Sequence, residues 1–115
     1  MKTQRPNVIY ILADDMGYGD FGIFGDGSAQ TPSLDRLVRE GCALSHCYSA
    51  SPVCAPARAS LLTGRYPHRT GAVDTYEAIG GDRLSLRETT LADVYRQYGY
   101  RTGLVGKWHL GLIGK

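Results

Sequence analysis

Hydrophobic residues are spaced in two ways along this chain, and the two spacings predict different elements. Val8-Ile9-Tyr10-Ile11-Leu12-Ala13 is an unbroken apolar run rich in branched residues. Such runs suit a strand buried on both faces, as in a parallel sheet covered by helices. Ala43-Leu44-Ser45-His46-Cys47-Tyr48-Ser49 and Tyr100-Arg101-Thr102-Gly103-Leu104-Val105-Gly106 read as two further strands. Elsewhere the apolar positions follow the helical period. Leu34, Leu37 and Val38 fall at i, i+3 and i+4, a core-facing stripe. Thr31 can cap that helix, Pro32 fits its first turn and Gly41 can close it. In a second helix Leu91, Val94, Tyr95 and Tyr98 share a face, with a Thr before and Gly99 after. Strand–helix–strand alternation predicts an α/β fold with parallel pairing and right-handed crossovers.

A third helix is predicted from about Pro56 to Thr63, with Gly64 at a left-handed cap. It places Cys54 at or just before a helix N-terminus, where free N–H groups and the helix dipole favour an anion. Arg58, four residues on, can turn back toward the same end. The plain alternative is a half-buried structural cysteine. The segment after this helix, Tyr66-Pro67-His68-Arg69-Thr70-Gly71, reads as a loop, and residues 72–87 as a polar surface loop.

Composition narrows the class. The 115 residues suffice for one small domain, and a formal charge of +2 with scattered Lys and Arg argues against nucleic acid. Three cysteines, Cys42, Cys47 and Cys54, cannot all pair and lack zinc spacing. The run at 8–13 is too short for a membrane span or a secretory core. No membrane association is expected. As written, the chain has no export signal and reads as cytoplasmic, or as periplasmic or secreted had a leader been removed.

Two other clusters carry chemistry. Asp14 and Asp15 end the first predicted strand, and Gly17, Gly19, Gly22, Gly25 and Gly27 follow. Strand C-terminal ends are where open α/β sheets place their sites. Adjacent carboxylates there either open a solvated loop or share a hard cation that takes oxygen ligands. Asp20 reads as a loop or capping residue. Lys107 and His109 lie just past the last predicted strand and, at strand periodicity, point to one side. A cation beside an acid–base group suits an anionic ester. A snorkelling Lys and a satisfied His are the structural alternative.

Cys54-x-Pro56-x-Arg58 followed by Leu62-Thr63-Gly64-Arg65 resembles the signature of the formylglycine-dependent sulfatases. Asp14-Asp15-Met16-Gly17-Tyr18-Gly19-Asp20 and Gly106-Lys107-Trp108-His109-Leu110-Gly111 resemble two further segments of that family. The resemblance implies an alkaline-phosphatase-like fold, a three-layer α/β sandwich on a largely parallel central sheet. It also implies that Cys54 is oxidised to formylglycine by a maturation enzyme, its hydrated aldehyde attacking sulfur. Asp14, Asp15 and the modified Cys54 would bind a divalent cation, usually Ca²⁺, with Mg²⁺ possible. Lys107 would contact sulfate and formylglycine, His109 the formylglycine hydroxyl, and Arg58 would hold negative charge. The expected reaction is hydrolysis of a sulfate ester on a small molecule or carbohydrate.

Family members run several times longer, and the later residues that complete their cation site have no counterpart in this sequence. Residues 1–115 are therefore expected to be the N-terminal portion of a sulfatase catalytic domain, inactive alone. Two other functions remain open: hydrolysis of phosphodiesters or phosphonate esters by the same machinery, and a non-catalytic truncated product.

Overall fold

A computed structural model describes residues 5–75 and 83–111. The chain divides into two compact units, residues 1–46 and 47–115. Among the described residues there are four α-helices and one 3₁₀ turn, and no strand.

In the first unit a 3₁₀ turn (Tyr18–Asp20) precedes helix α1 (Pro32–Glu40). Asp20 accepts a 2.7 Å hydrogen bond from the Gly17 N–H, the capping role expected of it. Helix α1 has the predicted bounds, with Pro32 at its start and Gly41 at its close. Thr31 sits at the N-cap position, but its hydroxyl bonds elsewhere. It donates to the Asp35 carboxylate at 2.6 Å and accepts from the Gly22 N–H at 2.8 Å. Asp35 also accepts from the Ile23 N–H. A Cβ on Gly22 would stand 2.8 Å from Asp35 Oδ2, so this close approach of loop to helix requires glycine. The predicted apolar stripe is only half covered: Leu34 and Val38 are half-buried, whereas Leu37 is exposed. Tyr18, Phe21 and Phe24 pack on one another instead, Tyr18 stacked on Phe24 at 4.6 Å.

In the second unit helix α2 (Cys54–Thr63) is central. Short helix α3 (Pro67–Thr70) and helix α4 (Leu91–Gln97) both pack against it. Ala55, Pro56, Ala59 and Ser60 are its buried residues. Ser60 satisfies its buried hydroxyl on the Pro56 carbonyl at 2.9 Å, and Thr63 does likewise on Ala59 at 2.7 Å. The core joins Ala55, Ala59, Ala72 and Leu110, with Leu62, Leu84 and Trp108 against it. Gly64 ends α2 in the left-handed region at φ 67°, as expected. Just beyond, Arg65 Nη1 grips both carboxylate oxygens of Glu88 at 2.8 and 2.7 Å. The reading of residues 66–71 as loop gives way to α3, since Pro67 preorganises a first turn and Gly71 closes it at φ 80°. Ala72 is wholly buried, not part of a surface loop. Residues 73–75 and 83–87 of that expected loop form neither helix nor strand, and residues 76–82 lie outside the described residues, as do residues 1–4 and 112–115.

Helix α4 carries a reciprocal cap. The Thr90 hydroxyl accepts from the Asp93 N–H at 3.3 Å, and Asp93 accepts from the Thr90 N–H at 2.9 Å. The Thr90 hydroxyl and N–H, and then Arg96, hold the Asp93 carboxyl down to a pKa of about 2. On the predicted apolar face, Tyr95 is half-buried with its ring edge-on to Tyr100, while Tyr98 is exposed.

The three predicted strands are the main departure. Residues 8–13, 43–49 and 100–106 form neither ladder nor helix. Ile9 is 85% exposed, Ile11 79%, and Val105 fully so. A strand exists only through hydrogen bonds to a neighbour, and a doubly buried one also needs a covering layer on each face. Within the described residues neither is supplied, so the three-layer sandwich is not assembled here.

Candidate active site

Helix α2 starts at Cys54 itself, two residues earlier than the position predicted. Val53 is the N-cap, and the first helical bond runs from the Ala57 N–H to the Val53 carbonyl at 3.1 Å. Pro56 loses nothing there, because first-turn N–H groups have no intrahelical acceptor. Cys54 is thus the first residue of a ten-residue helix, half-buried, at its electropositive end.

The second unit brings Lys107 to this point across 53 residues of sequence: its Nζ donates to Cys54 Sγ at 3.3 Å. Arg58, one turn along α2, donates from Nη1 to the Lys107 main-chain carbonyl at 2.7 Å. Two contacts thus join the start of α2 to Lys107. Arg58 in part positions the lysine segment, a role its sequence spacing did not reveal. Three residues on, Leu110 is 4% exposed, inserted beside Ala55 and Ala59, and its carbonyl accepts from the Leu84 N–H at 3.3 Å. The same short segment carries polar groups at one end and a core anchor at the other.

His109 lies between them. Its Nδ1 is enclosed, with no hydrogen-bond partner among the described residues. Its backbone is left-handed at φ 52°. Among the described residues, the only other non-glycine position with positive φ is Asp15, at 58°. Both belong to types that tolerate this region, but each still costs free energy, and such strain concentrates at functional sites.

Asp14 and Asp15 belong to the first unit; Cys54, Arg58, Lys107 and His109 belong to the second. Neither unit, in its described residues, holds a group of three or more His, Cys, Asp or Glu side chains placed to bind a metal. The Asp pair offers oxygen donors suited to a hard cation, though fewer than the six or more such an ion takes. Their chemistry fits a cation; their number leaves its shell incomplete. The remaining His and Cys side chains described lie outside this contact. His68 stacks on Tyr66 at 5.9 Å, the His46 ring bonds Ser45, and Cys42 and Cys47 are free and exposed. Arg65, inside the signature, went unassigned in the sequence. Its partner Glu88 is 23 residues away, and no local pattern announces the pair. Among the described residues, no helix is long and apolar enough to cross a membrane.

A cysteine at a helix start with a lysine held on its sulfur makes a candidate nucleophile site in the second unit. The chain belongs to the sulfatase family, whose pattern it matches over residues 6–115. It is 46% identical to human arylsulfatase H over 118 aligned positions, covering 96% of this chain and 21% of that protein. It is 44% identical to dog N-acetylgalactosamine-6-sulfatase, with 94% and 22% covered. Mouse steryl-sulfatase is 46% identical, with 93% and 18% covered. The chain therefore spans about a fifth of the length of the curated relatives it matches. No solved structure matches it.

Proposed function

We propose that this chain is the N-terminal portion of a sulfatase catalytic domain and supplies the nucleophile end of a sulfate-ester hydrolase site. The observation that carries the reading is the Lys107 Nζ contact to Cys54 Sγ at the first residue of α2, in a chain of the sulfatase family. The relatives named above as sulfatases support the substrate class.

In this reading Cys54 is the residue converted to formylglycine, whose aldehyde hydrate supplies a hydroxyl nucleophile where a thiol could not complete turnover. Asp14 and Asp15 are the carboxylates offered to a divalent cation, Ca²⁺ by preference, which supplies Lewis acidity. The chain's own groups do the rest. Lys107, held over the side chain of residue 54, points an ammonium at the place where negative charge develops. Arg58 fixes the Lys107 main chain and adds a second positive charge in the same turn of helix. His109, with an enclosed ring nitrogen, is the group to move a proton. The N-terminus of α2 favours the anionic sulfate.

The test compares aryl sulfate with aryl phosphodiester turnover by the protein carrying this chain, expressed with a formylglycine-generating enzyme. Preferential sulfate hydrolysis is expected. A strong diester preference would transfer the assignment to phosphodiester or phosphonate hydrolysis.

A further inference from the structure

We propose that in the unconverted chain Cys54 and Lys107 form an oxidation site in which peroxide ties Sγ to Nζ as a sulfenamide. This concerns the thiol before any maturation and does not rest on the sulfatase reading. The amine already touches the sulfur, at 3.3 Å. Both ends of the contact are anchored. Cys54 opens a helix whose next residues, Ala55 and Pro56, are buried. The lysine segment is pinned at the Lys107 carbonyl by Arg58 and, three residues on, by buried Leu110. Holding two reacting groups in contact turns a slow bimolecular condensation into an intramolecular one. Cys54 is half-buried rather than sealed, so a molecule as small as hydrogen peroxide can reach it.

The chemistry balances with peroxide as the only oxidant. The thiol sulfur attacks one peroxide oxygen and the O–O bond breaks. This gives the sulfenic acid and one water, with sulfur oxidised by two electrons and peroxide reduced by two. Lys107, after its ammonium releases a proton to solvent, attacks the sulfenic sulfur through Nζ. The S–N bond forms, the S–O bond breaks, and the hydroxyl leaves as a second water with a proton from nitrogen. Two equivalents of a thiol reductant reverse the tie, returning thiol and amine and yielding one disulfide of the reductant. The tie shields Cys54 from over-oxidation, and it withholds the thiol from any maturation enzyme.

The test uses the full chain made without maturation enzyme, carrying Cys42→Ser and Cys47→Ser. Both residues are exposed and outside the site, so the changes exclude disulfides. After peroxide treatment and non-reducing tryptic digestion, mass spectrometry should find the Cys54 and Lys107 peptides covalently joined. The joined pair should lack two hydrogens relative to the reduced pair, and cleavage after Lys107 should be lost. Dithiothreitol should restore both peptides. Lys107→Arg should abolish the joined species. The same chain oxidised in urea should not form it either, which keeps the test decisive if the variant misfolds. Recovery of separate peptides, with Cys54 unreacted or converted to sulfinic or sulfonic acid, overturns the proposal. So does equal joining in urea.

Discussion

Leu110→Ala is the substitution that most sharply tests how the site is held. Leu110 is 4% exposed and packs on Ala55, Ala59 and Ala72, each wholly buried. Removing its isobutyl group forfeits most of the burial free energy of a leucine, about 1.5–3 kcal/mol. Two of the three alanines facing the space left, Ala55 and Ala59, are held on helix α2 and cannot move inward. Only Leu62, Leu84 and Trp108, half-buried at the edge, can relax toward it. A total near the middle of the leucine-to-alanine range, about 3 kcal/mol, is therefore expected. Because Lys107 reaches Cys54 on the segment Leu110 anchors, the loss should also free the sulfur. Urea unfolding gives the stability change, and reaction of Cys54 with a thiol reagent under native conditions gives the local one. A change below about 0.5 kcal/mol, the range typical of a surface site, with unaltered thiol reactivity, would refute the claim that this small cluster fixes the site.

Three further expectations follow from single features. Lys107→Ala in the matured protein should lower kcat/KM for an aryl sulfate roughly 10²–10³-fold and leave the unfolding midpoint nearly unchanged. Gly64→Ala should destabilise by about 1–2 kcal/mol; the space around a Cβ there is open, so the cost arises from φ 67° alone and appears in denaturant unfolding. The Asp93 carboxyl is held below its ordinary value of 3.8, at about 2, so its capping contribution is whole above pH 3.8 and disappears as pH falls through about 2. Asp93→Asn should therefore differ from the parent chain in thermal unfolding near neutral pH, and the two curves should converge in strong acid.

What the sequence disclosed follows from what is local. Helix boundaries set by Thr31, Gly41, Gly64 and Thr90 emerged because caps act within one turn of the residues that signal them. Thr31 also shows the limit, since its hydroxyl turned to the Asp35 side chain and the Gly22 N–H rather than to a first-turn N–H of its helix. The apolar run at 8–13 signalled a strand, but pairing is a property of two segments, and nothing within one segment specifies its neighbour. The site was legible through its motifs, which placed Cys54, Lys107 and His109 as candidates. Of the contacts, the approach of Lys107 to residue 54 was implied by the resemblance. Arg58 to the Lys107 carbonyl and Arg65 to Glu88 were not, because each joins residues far apart in sequence. The left-handed backbone at Asp15 and His109 was equally hidden, because neither is glycine.

Whether this chain works as a sulfatase turns first on the chemical state of residue 54. Peptide mass spectrometry across Cys54, after expression with a formylglycine-generating enzyme, reads that state directly. The proposed function predicts a peptide carrying an aldehyde or its hydrate at position 54, in a preparation that hydrolyses aryl sulfate. An unmodified thiol in a preparation that still turns over aryl sulfate would contradict it.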